Sequence, residues 1–230
     1  MKQLHELINC DDPGWPVVQQ WIADAKNHVE VLPRPDDKTR EEALVATQVT
    51  TRSPMGAIIY ETGGILVDHG WIRILGSGHP RLPRTLPGWN FGRSFSKSGQ
   101  QPAFLLCADD AAGGFFAIDG GGLQHEPGKV CYFAPDTLVW ENLNIGYSQF
   151  VAWCFQGDIA KFFESLRWPG WEKESATLPG DQVFDIFPPP CFSGKPIAER
   201  DRGPISIAEF YALNVGNAGE RKPDSTPSAP

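Results

Sequence analysis

Gly63-Gly64-Ile65-Leu66-Val67-Asp68-His69-Gly70-Trp71-Ile72-Arg73-Ile74-Leu75 is the stretch on which the fold turns. Two apolar runs, 65–67 and 71–75, are rich in β-branched residues and separated by Asp-His-Gly. Short apolar runs bounded by turn residues are the mark of strands. The same signature returns at 104–107, 115–118 and 130–133. Phe115-Phe116-Ala117-Ile118-Asp119 and Lys129-Val130-Cys131-Tyr132-Phe133 flank Gly120-Gly121-Gly122 and Pro127-Gly128. That arrangement reads as an antiparallel hairpin with a long loop.

Outward from this core the period changes to that of helices. Upstream, Leu4, Leu7 and Ile8 share a face, and Trp15, Val18, Trp21, Ile22 and Ala25 recur at helical spacing. Residues 31–35 are extended, because each proline biases its predecessor away from the helix. A helix over 39–49 is expected to open with a capping box of Thr39 and Glu42. Another starts at Ser53-Pro54 and stops at Gly63-Gly64. Downstream, residues 148–154 and 159–166 read as helices, with Asp158 as an N-cap. The chain around Trp168, Trp171 and Pro188-Pro189-Pro190 is expected to wrap the surface. Residues 214–230 lack apolar periodicity and are rich in Gly, Pro, Ser and charge, the composition of a disordered tail. The expectation is one α+β domain over residues 1–213, with a mostly antiparallel sheet and N-terminal and C-terminal helices packed on it.

Composition narrows the function classes. The 41% hydrophobic content is enough to build a core. A formal net charge of -8 argues against a nucleic-acid partner, which would need a basic face. No run approaches the roughly 20 apolar residues that span a bilayer, and the N-terminus lacks the apolar core of a signal peptide. A cytoplasmic location without membrane contact is therefore expected. The five cysteines are widely spaced with no CxxC pair, so neither zinc nor a disulfide is expected, and no cofactor.

Chemistry-bearing residues are then weighed against plainer roles. The glycine clusters lack the GxxxxGK[ST] order of a phosphate loop and are assigned to turns. Asp109 and Asp110, at the end of a strand, and His69 or His79 are the residues a small metal-independent hydrolase would use. No GxSxG elbow accompanies Ser77. Arg73, Arg81, Arg84 and Arg93 cluster in sequence beside Trp71 and Trp89, and Trp and Arg dominate interface hot spots. Trp71, Arg73, Arg81, Arg84 and Trp89 are accordingly the expected binding surface, with Asp109 and Asp110 as its acidic part.

Gly63 to Gly78 and Ala108-Asp109-Asp110-Ala111-Ala112-Gly113-Gly114-Phe115-Phe116-Ala117-Ile118 resemble an uncharacterised bacterial family, domain of unknown function 2625. Tyr132-Phe133-Ala134-Pro135-Asp136-Thr137-Leu138, Trp140-Glu141 and Arg167-Trp168 with Gly170-Trp171-Glu172 extend the resemblance over roughly residues 1 to 210. The layout around Gly63-Gly64, Leu75-Gly76, Asp109 to Gly114 and Phe150 is also similar to the SUKH superfamily of Smi/Knr-type proteins. That second likeness implies an α+β binding module, often an immunity protein against a polymorphic toxin. The excursion over 76–101 and the extension after Leu166 depart from its compact layout. The expected function is a non-enzymatic binding protein with a protein partner, for which a basic toxin suits the negative charge. Self-association is compatible with this reading.

Overall fold

The computed structural model describes residues 1–97 and 99–216. Two short helices, α1 (Leu4–Leu7) and α2 (Trp15–Ala23), precede strand β1 (Val29–Pro33). Helices α3 (Asp37–Thr47) and α4 (Pro54–Glu61) lead into β2 (Thr62–Val67) and β3 (Ile72–Leu75). Helix α5 (Leu86–Asn90) interrupts the excursion that follows, before β4 (Phe104–Asp110), β5 (Phe115–Asp119), β6 (Val130–Phe133) and β7 (Trp140–Asn142). Then come α6 (Tyr147–Gln156), α7 (Ile159–Phe162), α8 (Trp171–Thr177), β8 (Gln182–Phe187), β9 (Asp201–Ser206) and α9 (Ile207–Tyr211). The class is α+β. β1 to β7 form one sheet in sequence order, every pair antiparallel, and β8–β9 form a separate ribbon.

The sheet is covered on both sides, and its period-2 alternation sorts residues between two cores. On the upper face Ile65, Val67, Ile72, Ile74, Phe116 and Val130 meet Val18 of α2, and Phe150, Val151 and Cys154 of α6. On the lower face Leu66, Leu75, Leu106, Phe115 and Phe133 meet Leu7, Leu44 of α3, Leu86 of α5 and Phe210 of α9. Cys107, Cys131 and Cys154 are buried in these cores, and all five cysteines are free thiols. No helix among the described residues is long and apolar enough to cross a membrane.

Several local expectations are corrected. Gly63 and Gly64 do not end α4; they lie inside β2, because the helix closes at Thr62, whose hydroxyl bonds back to Ile58 O at 2.8 Å. A side chain at Gly63 would strike the backbone oxygens of Pro33 and Gly78 at 2.7 Å, so close chain approach is what demands glycine there. Helix α3 is capped by Asp36, whose carboxylate accepts from Thr39 N at 3.0 Å, in place of the Thr39–Glu42 box. The chain after Trp168 carries α8 and the β8–β9 ribbon, and Phe184 N donates to Ala111 O at 2.8 Å, tying the ribbon to the sheet end. At the C-terminus, residues 214–216 continue the helical turn beyond α9 and Val215 packs against the lower core. The rest of the expected tail, 217–230, lies outside the described residues.

Candidate functional site

The alternation Ile72-Arg73-Ile74 sends both isoleucines to the upper core and Arg73 to the lower face. There Arg73 stands directly across the β3–β4 ladder from Asp109. Its Nε donates to Asp109 Oδ1 at 2.6 Å, while Nη1 and Nη2 reach Gln182 O at 2.6 Å and Asp110 O at 2.9 Å. Arg84, from the excursion, donates Nη1 to Asp109 Oδ2 at 2.7 Å and Nε to Gly180 O at 2.9 Å. All three side chains are buried. The knot closes the excursion and the entry to β8 onto the sheet. One carboxylate here faces two guanidinium groups, and Arg84 Nη2 is buried without a hydrogen-bond partner. Burial pulls the Arg73 guanidinium below the ordinary arginine value; Asp109 opposes that shift and Arg84 adds to it.

Trp89 continues the row. The Arg84 Cζ lies 4.7 Å from its ring centre, and the Arg93 Cζ stacks on it at 3.7 Å. Arg93 also lies 5.5 Å from the Tyr211 ring, and its Nη1 donates to Trp89 O at 2.8 Å. Among the described residues Arg93 forms no ion pair. Partial burial lowers its pKa; Tyr211 opposes this and Arg84 reinforces it. Arg93 lines an open cleft of about 580 Å³ together with Phe91, Phe104, Trp140 and Tyr211, and residues of the C-terminal turn border it. Aromatic side chains beside a placed cation are residue types that small-ligand sites use.

The opposite face of the sheet holds Asp110 and Trp71. Asp110 accepts from Ala112 N, Gly114 N and the Tyr132 hydroxyl at 2.8, 2.9 and 2.7 Å. Trp71 is buried among Phe163, Trp168 and Trp171, with the Arg167 guanidinium 3.8 Å from the Trp171 ring. Arg167 Nη2 forms an ion pair with Asp68 Oδ2 at 2.5 Å.

The family described as "Protein of unknown function DUF2625" matches residues 4–210, from the start of α1 into α9. The chain belongs to the DUF2625 family. It is 44% identical over 216 residues to an uncharacterized protein of Haemophilus influenzae, covering 93% of this chain and 94% of the other. It is 45% identical over 218 residues to the putative uncharacterized protein YbfG of Escherichia coli K12, covering 93% and 95% respectively.

For this DUF2625 protein the expected surface is therefore corrected. Trp71, Arg73, Arg84, Trp89, Asp109 and Asp110 are buried, and the sheet divides them: Arg73, Arg84, Trp89 and Asp109 below, Trp71 and Asp110 above. They were legible as a cluster in sequence, but layers of helix on both faces bury what a one-sided sheet would expose. Arg81 alone is exposed, held by both oxygens of Glu30 beside a smaller hollow of about 260 Å³ that His69 and Arg73 also line. His79 accepts from Arg81 N at 3.1 Å, and His69 stacks on His28 at 4.5 Å. The residue that reaches a large cleft is Arg93, in the turn that follows α5. Phe104, Trp140 and Tyr211 come from distant segments, and no local pattern signals that they meet.

Proposed function

We propose that this protein is a non-enzymatic cytoplasmic binding protein whose ligand enters the cleft around Arg93. The observation that carries this is the guanidinium itself: stacked on Trp89, with no ion pair among the described residues, beside a cleft lined by four aromatic side chains. A catalytic reading has less support. Asp109 and Asp110 are fully buried, committed to structural donors, and on opposite faces of the sheet, so they do not act as an acid–base pair. A library of small molecules and peptides, read by thermal shift, tests the proposal. Ligands that stabilise the wild type are expected to lose their effect in Phe104→Ala and Trp140→Ala, whose targets wall the cleft. Turnover on a hydrolytic substrate panel that disappears in His69→Ala would sink it.

The protein partner belongs to the same proposal. Phe91 is 58% exposed and stands between this cleft and an apolar hollow formed by Ala43, Ala46, Pro87 and Phe95, which offers a partner an anchor. The net charge of -8 suits a basic partner, such as the toxin that the SUKH-like resemblance implies. Co-purification with a basic protein encoded beside the gene, lost in Phe91→Ala, is the outcome that supports this second part.

A further inference from the structure

We infer that the Arg93 cleft takes a small aromatic carboxylate. The inference deepens the binding reading above and rests on it. Along the lower face Arg73, Arg84 and Arg93 follow one another, and among the described residues Asp109 alone forms an ion pair with any of them. Arg84 and Arg93 both lie against the Trp89 ring, and the charge of Arg84 disfavours that of Arg93. A partly buried cation gains more from an added anion than a fully exposed one does. The accessible end of the row is Arg93.

The form of the site selects the anion. Arg93 spends one N–H group on Trp89 O, which sets the plane of the guanidinium against the indole. Four N–H groups remain, enough to grip one carboxylate with two parallel hydrogen bonds. A phosphate dianion is usually met by several backbone N–H groups at a helix N-terminus. This cleft is bordered on one side by Ala208, Ala212, Val215 and Gly216, with Arg93 as its cation. The body of the ligand is set by the walls. Phe104 and Trp140 sit 6.3 Å apart and tilted, Tyr211 stands edge-on to Trp89 at 6.0 Å, and Phe91 forms the outer lip. Such rings favour a flat aromatic guest in stacked or edge contact. A cleft of about 580 Å³ holds one or two fused rings with room for their substituents.

The test is titration of the full chain with 2-naphthoate, with neutral 2-naphthamide, and with inorganic phosphate, followed by calorimetry and tryptophan fluorescence. We expect naphthoate to bind about tenfold or more tightly than naphthamide, the range of a charge-assisted hydrogen bond. Arg93→Gln is expected to bring the two to within about threefold, and Phe104→Ala to weaken both, as lost ring contact should. The acid–amide comparison in the wild type stands even if Arg93→Gln fails to fold. Equal affinity for acid and amide overturns the anion inference and leaves the cleft as a binding site. Phosphate binding as tightly as naphthoate overturns the aromatic part. No binding of either naphthalene overturns this inference and the cleft reading together.

Discussion

Asp110 shows how one buried side chain makes stability depend on pH. Its carboxyl group accepts three hydrogen bonds, yet burial outweighs them and raises its pKa from 3.8 to about 6. A carboxyl whose pKa is raised on folding favours the folded state when protonated. That contribution is complete below about pH 4 and is lost as pH rises through about 6. By linkage the loss is roughly 2–3 kcal/mol between pH 4 and 7. Asp110→Asn keeps an acceptor for the two amides and turns an NH₂ group toward the Tyr132 oxygen, but does not titrate. Urea denaturation should therefore show the variant gaining on the wild type by about 2–3 kcal/mol across that window. A difference that stays constant with pH would show that Asp110 titrates as an exposed acid. The neighbouring Gly114 is fixed by the same network, since a methyl group there would lie 2.0 Å from Asp110 Oδ2.

At the scale of elements, α5 is joined to β4 by one amide side chain. β3 pairs with β4 only as far as Ile74 and Ala108, so beyond it Leu106 has no strand neighbour on that side. Asn90 takes the place of one. Its Nδ2 donates to Leu106 O at 2.8 Å and to Leu86 O at 2.9 Å, and its Oδ1 accepts from Leu106 N at 2.8 Å. Both Asn90 and Leu106 are fully buried, so water does not replace these bonds. Asn90→Ala strands the backbone N–H and C=O of Leu106 and should cost about 2–4 kcal/mol in chemical denaturation. A cost below about 1 kcal/mol would mean that another group takes over the strand. Because α5 also carries Trp89, the substitution should loosen the support of Arg93 and weaken any cleft ligand. The β2–β3 hairpin has a comparable dependence on local geometry. Asp68, His69 and Gly70 all take left-handed backbone angles, at φ of 51°, 59° and 82°. The Asp-His-Gly turn was therefore readable from the chain, since Gly, Asp and His are among the residues that most often accept this conformation.

For the molecule as a whole, the two covered faces decide which groups can react. Cys107, Cys131 and Cys154 lie inside the cores, and burial raises the thiol pKa of each, that of Cys131 to about 11. In the native protein a thiol reagent should label exposed Cys10 quickly and half-buried Cys191 more slowly, and all five after denaturation. A third thiol reacting natively as fast as Cys191 would reveal an opening of one core. The same layering explains what could be read in advance. Most helices and strands up to residue 166 were legible in the chain, because alternation, caps and turn residues are local and act between near neighbours; α5, β7, α8 and the β8–β9 ribbon were not. The strands at 65–67, 104–107, 115–118 and 130–133 all lie within observed ones. The Ile72-Arg73-Ile74 alternation equally determined that Arg73 would face away from its neighbours. It did not say what lies on that side. An arginine opposite an apolar face points to water in a one-sided sheet and into a second core in a two-sided one. Only the tertiary structure decided for the second, by laying α3, α5, α9 and β8 over the lower face. With that it joined Arg73 and Arg84 to Asp109, left Arg93 unpaired, and drew Phe104, Trp140 and Tyr211 into one cleft. Those are contacts between distant segments, and their energy depends on packing that no local pattern encodes.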